Sequence, residues 1–212
     1  MNILITGVAG FIGFHVAEDL LKLNSSKIFG IDNLNSYYNQ KLKLNRIKYL
    51  KKINKLNKFK FLKVDISNKK KLEKLKKYKI DIIIHLAAQA GVRHSIKKPQ
   101  DYVKNNLLGF FNILDFSKSM HIQHLLFAST SSVYGNENRK CSENFSCNTP
   151  IQFYAATKKS NEVMAYSYSA IYKLPCTGLR FFTVYGPWGR PDMALFKFVK
   201  NIKQKKEIEV YN

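Results

Sequence analysis

Apolar residues fall along this chain in short unbroken runs, separated by longer stretches with helical spacing. The first run, Asn2–Thr6 (NILIT), is stopped by Gly7 and predicts a buried strand. After Gly13, the residues Val16, Ala17, Leu20 and Leu21 keep one helical face apolar until about Asn24, which predicts a helix. Further apolar runs predict strands at 27–31, 59–64, 80–87, 125–129 and 176–182, with helical patterns between them. A long helix is expected over 152–173, another over 193–203, and a last strand over 208–211. Parallel strands need crossovers that lay helices over the sheet, so this alternation predicts one parallel sheet covered on both faces. The expected fold class is α/β, a doubly wound parallel sheet.

Composition adds two constraints. With 45% hydrophobic and 13% aromatic residues in 212, the chain has apolar material for a full core, which excludes disorder. Lys and Arg number 36 against 14 Asp and Glu, a net charge of +22 that by itself suggests an anionic partner. Yet Lys, Asn, Ile, Phe and Tyr, whose codons are richest in A and T, make up 96 of the 212 residues. A biased genome accounts for the lysine, and neither nucleic acid nor membrane is expected as a partner. The stretch 41–79 carries +15 of that charge, with Leu42, Ile47, Leu50 and Ile53 on one side. It reads as a solvated helix face, with a basic amphipathic helix as the alternative. The 3 cysteines are an odd number at no metal-ligand spacing, so no disulfide framework or metal site is expected and a reducing cytoplasm fits. No apolar run approaches the roughly 20 residues that span a bilayer, and no basic segment precedes the apolar N-terminus, so no removable signal is expected.

Chemistry enters at Gly7-Val8-Ala9-Gly10-Phe11-Ile12-Gly13, a GxxGxxG turn between the first strand and the first helix. Gly7 permits the tight turn, Gly10 lets a pyrophosphate approach the backbone, and Gly13 lets helix and strand pack closely. The helix N-terminus offers free N–H donors to phosphate. Asp32 ends the second strand, where a carboxylate can accept from ribose hydroxyls and repel a 2′-phosphate, so NAD is expected rather than NADP. Asp65, after the third strand, is an expected adenine-side contact.

Tyr154 and Lys158 stand four apart on one face of the long helix. The pair Tyr37/Lys41 repeats that spacing, so context decides between them. Tyr154 follows a strand ending in Ser129-Thr130-Ser131-Ser132, whose hydroxyls emerge at the carboxyl edge of the sheet, where ligands bind in open α/β folds. A nearby ammonium and a nicotinamide cation would favour phenolate, letting Tyr154 accept a sugar hydroxyl proton while hydride leaves the same carbon. Thr130 would bind the same oxygen.

These residues resemble the extended short-chain dehydrogenase/reductase family, and within it the UDP-glucuronate 4-epimerases. The resemblance runs through TGVAGFIGFHVA, GIDNLNSYYN, HLAAQAGVRHSI, NNLLGFFNIL, STSSVYG, YAATKKSNE and LRFFTVYGPWGRPDMALFKF. It implies transient oxidation of C4 of the sugar by NAD, rotation of the keto sugar and return of hydride to the opposite face, giving UDP-galacturonate from UDP-glucuronate. By motif, the catalytic residues would be Thr130, Tyr154 and Lys158. Cofactor contacts would be Gly7, Gly10, Phe11, Ile12, Gly13, Asp32, Asn33, Asn35, Asp65, Ile66, Leu86, Ala87, Ala88, Gln89 and Asn106, with Tyr154 and Lys158. Related dehydratases and decarboxylases carry an acid near the fifth strand's end, where this chain has Ser131 and Ser132, which favours epimerisation. The hydroxyls of Ser131, Ser132 and Thr183 are candidates to grip the sugar carboxylate, with Arg93 or Arg190 as longer-range positive charge. The resemblance further implies a homodimer through the helices near 102–119 and 152–173. It assigns 1–212 to the NAD-binding domain, with the substrate region starting near 183 and most of the C-terminal substrate lobe outside these residues. A 4-epimerase of another UDP-sugar and a catalytically silent NAD-binding fragment remain open alternatives.

Overall fold

A computed structural model of the chain describes residues 1–23, 26–54, 56–136 and 140–208. Six parallel strands, β1 (Asn2–Thr6), β2 (Lys27–Asp32), β3 (Phe59–Lys63), β4 (Ile82–His85), β5 (His124–Thr130) and β6 (Cys176–Phe181), form one sheet in the order β3-β2-β1-β4-β5-β6. The fold is Rossmann-like, as the strand pattern predicts. Each strand after β1 is reached through helical segments: α1 (Phe11–Lys22), α2 (Gln40–Ile53), α3 (Lys69–Glu73), α4 (Val92–Lys97), α5 (Pro99–Tyr102), α6 (Gly109–Met120) and α7 (Phe153–Tyr172). A π-helical stretch, Val103–Leu108, joins α5 to α6, and α8 (Ala194–Lys203) follows β6.

The sheet separates two cores. On one side Phe14, Ala17 and Leu21 of α1 and Ile47 and Leu50 of α2 pack on Ile3, Ile5 and Ile28. On the other, Phe110, Ile113, Leu114 and Phe116 of α6 and Ala165 of α7 cover Leu4, Ile31, Ile83 and Leu125. Strands β1, β2 and β4 are buried on both faces, which is why their sequences read as continuous apolar runs rather than alternating ones. Because β1 pairs with both β2 and β4, successive connections leave it in opposite directions and a crevice opens at the carboxyl ends of β1 and β4.

Three sequence expectations are corrected, and a fourth lies mostly outside the described residues. The first helix starts at Phe11 rather than after Gly13, because Gly10 takes an extended N-cap conformation (ψ 170°) and releases the chain into the helix three residues earlier. The 41–79 stretch is not uniformly solvated: Lys43 and Arg46 of α2 are buried beside Ile47 and Leu50. Strand β6 is half-exposed because it forms one edge of the sheet. Of the strand expected over 208–211, Ile208 lies in irregular structure and the rest falls outside the described residues.

Candidate active site

The crevice is a cavity of 970 Å³. Its floor is the glycine turn. Gly7 has φ +70°, and a Cβ there would lie 2.8 Å from the amide of Ala87 in the loop after β4. A Cβ on Gly10 would sit 3.0 Å from the carbonyl of Gly7, and one on Gly13 would strike that same oxygen. Thus no side chain stands between the cavity and the first turn of α1, whose amides lack intrahelical partners. Thr6 fixes the opposite wall, its hydroxyl accepting from the amides of Leu86 (3.2 Å) and Ala87 (3.1 Å) while bonded to Nδ1 of His85 (2.8 Å).

Asp32 lies at the cavity wall, its two oxygens accepting from the amides of Ala9 (3.2 Å) and Leu34 (2.7 Å). Each oxygen keeps a lone pair for a ligand. Burial pushes this carboxyl above its usual range, against the pull of those amides, Lys43 and Arg46. Asn33 and Asn35 line the same rim, and Asp65 with Asn33 and Asn35 lines an adjoining polar cavity of 490 Å³. Burial raises Asp65, but hydrogen bonds from Ser67 and Asn33 outweigh it, so its carboxyl stays below the ordinary range. Phe11, Ile12, Ile66, Leu86, Ala87, Ala88 and Gln89 also border the main cavity. Asn106 does not. It is 1% exposed, and its amide bonds both the N–H (2.8 Å) and the carbonyl (3.1 Å) of Gln89 and the hydroxyl of Thr157 (3.1 Å). Its geometry ties the Gln89 loop to α7, from behind the wall.

At the other end, Thr130, Ser131, Ser132, Tyr154 and Lys158 all border the same cavity. Thr130 ends β5 and caps the 3₁₀ turn Ser131–Tyr134, accepting from the amide of Ser132 (3.2 Å). Burial raises the Tyr154 phenol above its usual range, opposed by a hydrogen bond with Thr130 and by the charge of Arg190. Here the structure departs from the sequence argument: in the chain by itself desolvation, not a lysine, decides the phenol's proton. Lys158 is fully buried, which pulls its ammonium down to about 8, partly offset by Glu162.

Thr183, Arg93 and Arg190 border the cavity from the segments after β6 and β4. Arg190 grips Asp192 through Nε (3.1 Å) and Nη2 (2.5 Å), and Asp192 accepts from the hydroxyl of Tyr37 (3.2 Å) on the far wall. The segment carrying them is fastened by Arg46, whose Nη1 donates to the carbonyl of Ala9 (2.8 Å) and the hydroxyl of Tyr38 (2.8 Å), and whose Nη2 donates to the carbonyl of Trp188. Tyr37, Lys43, Arg46 and Asp192 escaped the sequence reading. Tyr37 and Asp192 lie within NLNSYYN and GRPDM, so those motifs were the signal. For Arg46 there was none.

A glycine turn at the switch point, an acid at the end of β2 and a hydroxyl, a phenol and an ammonium on one cavity are the arrangement of a dinucleotide-binding fold. The chain belongs to the NAD dependent epimerase/dehydratase family, whose family model matches residues 3–212. It is 51% identical over 214 residues to Protein CapI of Staphylococcus aureus, covering all of this chain and 63% of that protein. It is 47% identical over 213 residues to the probable UDP-glucuronate 4-epimerase of Rhizobium meliloti, covering all of this chain and 61% of that one. Its fold superposes on the crystal structure of UDP-glucuronic acid 4-epimerase from Bacillus cereus, in complex with UDP-glucuronic acid and NAD, with TM-score 0.92 and 36% identity, over all of this chain and 66% of that chain. The chain therefore spans a little under two thirds of the length of these relatives.

Proposed function

We propose that this chain is the NAD-binding and proton-transfer part of a UDP-glucuronate 4-epimerase, interconverting UDP-glucuronate and UDP-galacturonate. The observation that carries the reading is the opening of Thr130, Tyr154 and Lys158 onto the cavity floored by Gly7, Gly10 and Gly13. Relatives named for this activity support it.

The residues fit a dinucleotide. The Cβ-free turn and the amides of Phe11, Ile12 and Gly13 would take the pyrophosphate, Asp32 the adenosine ribose, Ile66 with Asp65 from the adjoining cavity the adenine, and Lys158 the nicotinamide ribose. When bound, NAD⁺ supplies a hydride acceptor for C4 of the sugar and a ring charge that favours the tyrosinate. Thr130 and Tyr154 then hold the oxygen on C4, and Tyr154 takes its proton. Lys158, buried one helical turn beyond Tyr154 on α7, keeps its positive charge at neutral pH. The end of β5 contributes hydroxyls, not an acid, so a 4-keto sugar held there meets no group from β5 to eliminate water. Ser131, Ser132 and Thr183 would hold the sugar carboxylate in plane, with Arg190 or Arg93 as cationic partner, which suppresses loss of CO₂ from the β-keto acid.

The reading extends to assembly. Leu108 and Phe111 on the α6 side and Val163, Tyr166 and Ile171 on α7 are exposed apolar residues, which suits a homodimer through these helices. Among the described residues no helix is long and apolar enough to cross a membrane, and the three cysteines are free, in keeping with a cytoplasmic enzyme. Incubation with NAD⁺ and UDP-glucuronate, followed by chromatography, should yield UDP-galacturonate. Conversion of UDP-glucose or UDP-N-acetylglucosamine in its place would change the substrate, and tight NAD binding without any product would reduce the chain to a cofactor holder.

A further inference from the structure

Glu162 lies one helical turn beyond Lys158 on α7 and has no part in the chemistry above. Its carboxylate nevertheless meets three elements at once. It accepts the hydroxyl of Ser129 from β5 at 2.5 Å, and Nε and Nη2 of Arg180 from β6 at 2.9 Å each. Lys159, the next residue on α7 after Lys158, approaches within 3.6 Å. Ser129 directly precedes Thr130. Arg180 leads into 181–183, which border the cavity. Helix α7 carries Tyr154 and Lys158. A two-pronged guanidinium–carboxylate pair fixes orientation as well as adding energy, and here it joins the segments that deliver the reacting groups.

On the reading that Thr130, Tyr154 and Lys158 form the proton-transfer set, we propose that Glu162 is the positioning residue of that set. Its carboxylate holds β5, β6 and α7 in the register that turns all three groups into one cavity, and it supplies a countercharge to Lys158.

The charges around Lys158 bear this out. From β4, His85 faces it, but burial holds the imidazole down to about 3, so it is neutral at working pH. Before cofactor binds, burial favours the protonated, uncharged form of Tyr154. Arg180 and Lys159 are both cations and both bound to Glu162. Among the described residues, Glu162 is the acid that stabilises the Lys158 ammonium. Buried at a low dielectric, that ammonium depends strongly on one negative neighbour. Glu162→Gln keeps one oxygen to accept from Ser129 and Nε of Arg180, gives up the acceptor for Nη2 and removes the charge, and Glu162→Asp keeps the charge on a shorter stem.

The test compares the unaltered chain with Glu162→Gln and Glu162→Asp, each loaded with NAD⁺ and assayed on UDP-glucuronate from about pH 6 to 10. Glu162→Gln should keep its melting temperature within a few degrees and its NAD⁺ affinity within about threefold. Its kcat should fall at least tenfold with KM little changed, and the alkaline limb of the kcat profile should move to lower pH, because Lys158 then loses its proton earlier. Glu162→Asp should restore the limb toward its original position. A Glu162→Gln variant with unchanged kcat and an unmoved limb overturns the proposal, as does a kcat loss that only parallels unfolding. If the unaltered chain does not turn over UDP-glucuronate, the functional reading fails instead. The same limb is then read in the pH dependence of NAD⁺ affinity by calorimetry, where an unshifted Glu162→Gln curve overturns the proposal on its own.

Discussion

At the scale of single residues, the site rests on positions where a side chain would not fit and on one where a charge is held against its preference. Gly13 abuts the Gly7 carbonyl, so Gly13→Ala must push α1 away from β1. Such overpacking costs about 1–3 kcal/mol, and the variant should melt lower and bind NAD⁺ at least tenfold more weakly by calorimetry. Lys158 is the opposite case. Its ammonium is pulled from 10.5 down to about 8 by burial, so folding opposes the charged form. Above 10.5 the group is neutral in both folded and unfolded chains and costs nothing; as pH falls from 10.5 to 8 the penalty grows, and below 8 it is complete. Lys158→Met should therefore gain roughly 3 kcal/mol of stability at pH 7 in urea unfolding, shrinking toward zero at high pH, while losing turnover. Ser131 is the residue at which reaction outcome should change: Ser131→Ala should release part of its product as a UDP-pentose, detectable by chromatography, if that hydroxyl holds the carboxylate in plane.

At the scale of elements, legibility followed burial. Strands β1, β2 and β4 are covered on both faces, and their apolar runs between turn residues were readable to within a few positions. The start of α1 was misplaced because the apolar spacing begins after Gly13, whereas the backbone enters the helix at a glycine whose extended conformation leaves no apolar mark. That Thr130, Tyr154 and Lys158 would share one cavity was readable because Tyr154 and Lys158 stand on one helix and Thr130 ends one strand. Asp192 with Tyr37 was not, since 155 positions separate the partners and only the closed fold brings them together. Asn106 also matched a motif, but it borders neither cavity and its amide bonds Gln89 and Thr157, a partnership that the pattern alone does not show. The exposed faces of α6 and α7 carry their own expectation. Tyr166, 78% exposed, becomes an interfacial anchor if two copies pair there, so Tyr166→Glu should convert a sedimenting dimer to monomer without lowering NAD⁺ affinity.

For the molecule as a whole, charge is the dominant unbalanced quantity. A net +22 with +15 confined to 41–79 repels itself, and exposed charges more than about 10 Å apart are screened at ordinary ionic strength. Raising salt from about 10 to 150 mM should therefore lift the melting temperature by a few degrees. A fall would mean that ion pairs such as Lys69–Asp115 outweigh the repulsion. Within this lysine-rich chain the fork of Arg46, gathering the carbonyls of Ala9 and Trp188 with the Tyr38 hydroxyl, has a wider meaning. The sequence holds 31 lysines and 5 arginines. Arg46 splays two nitrogens toward separate carbonyls, and Arg180 and Arg190 each clasp both oxygens of one carboxylate, tasks for which a point-like ammonium is a poor substitute. In a polypeptide whose codons drift toward the other cation, the scarce guanidinium persists where a fork is needed, and its architectural part shows only once the fold gathers the acceptors.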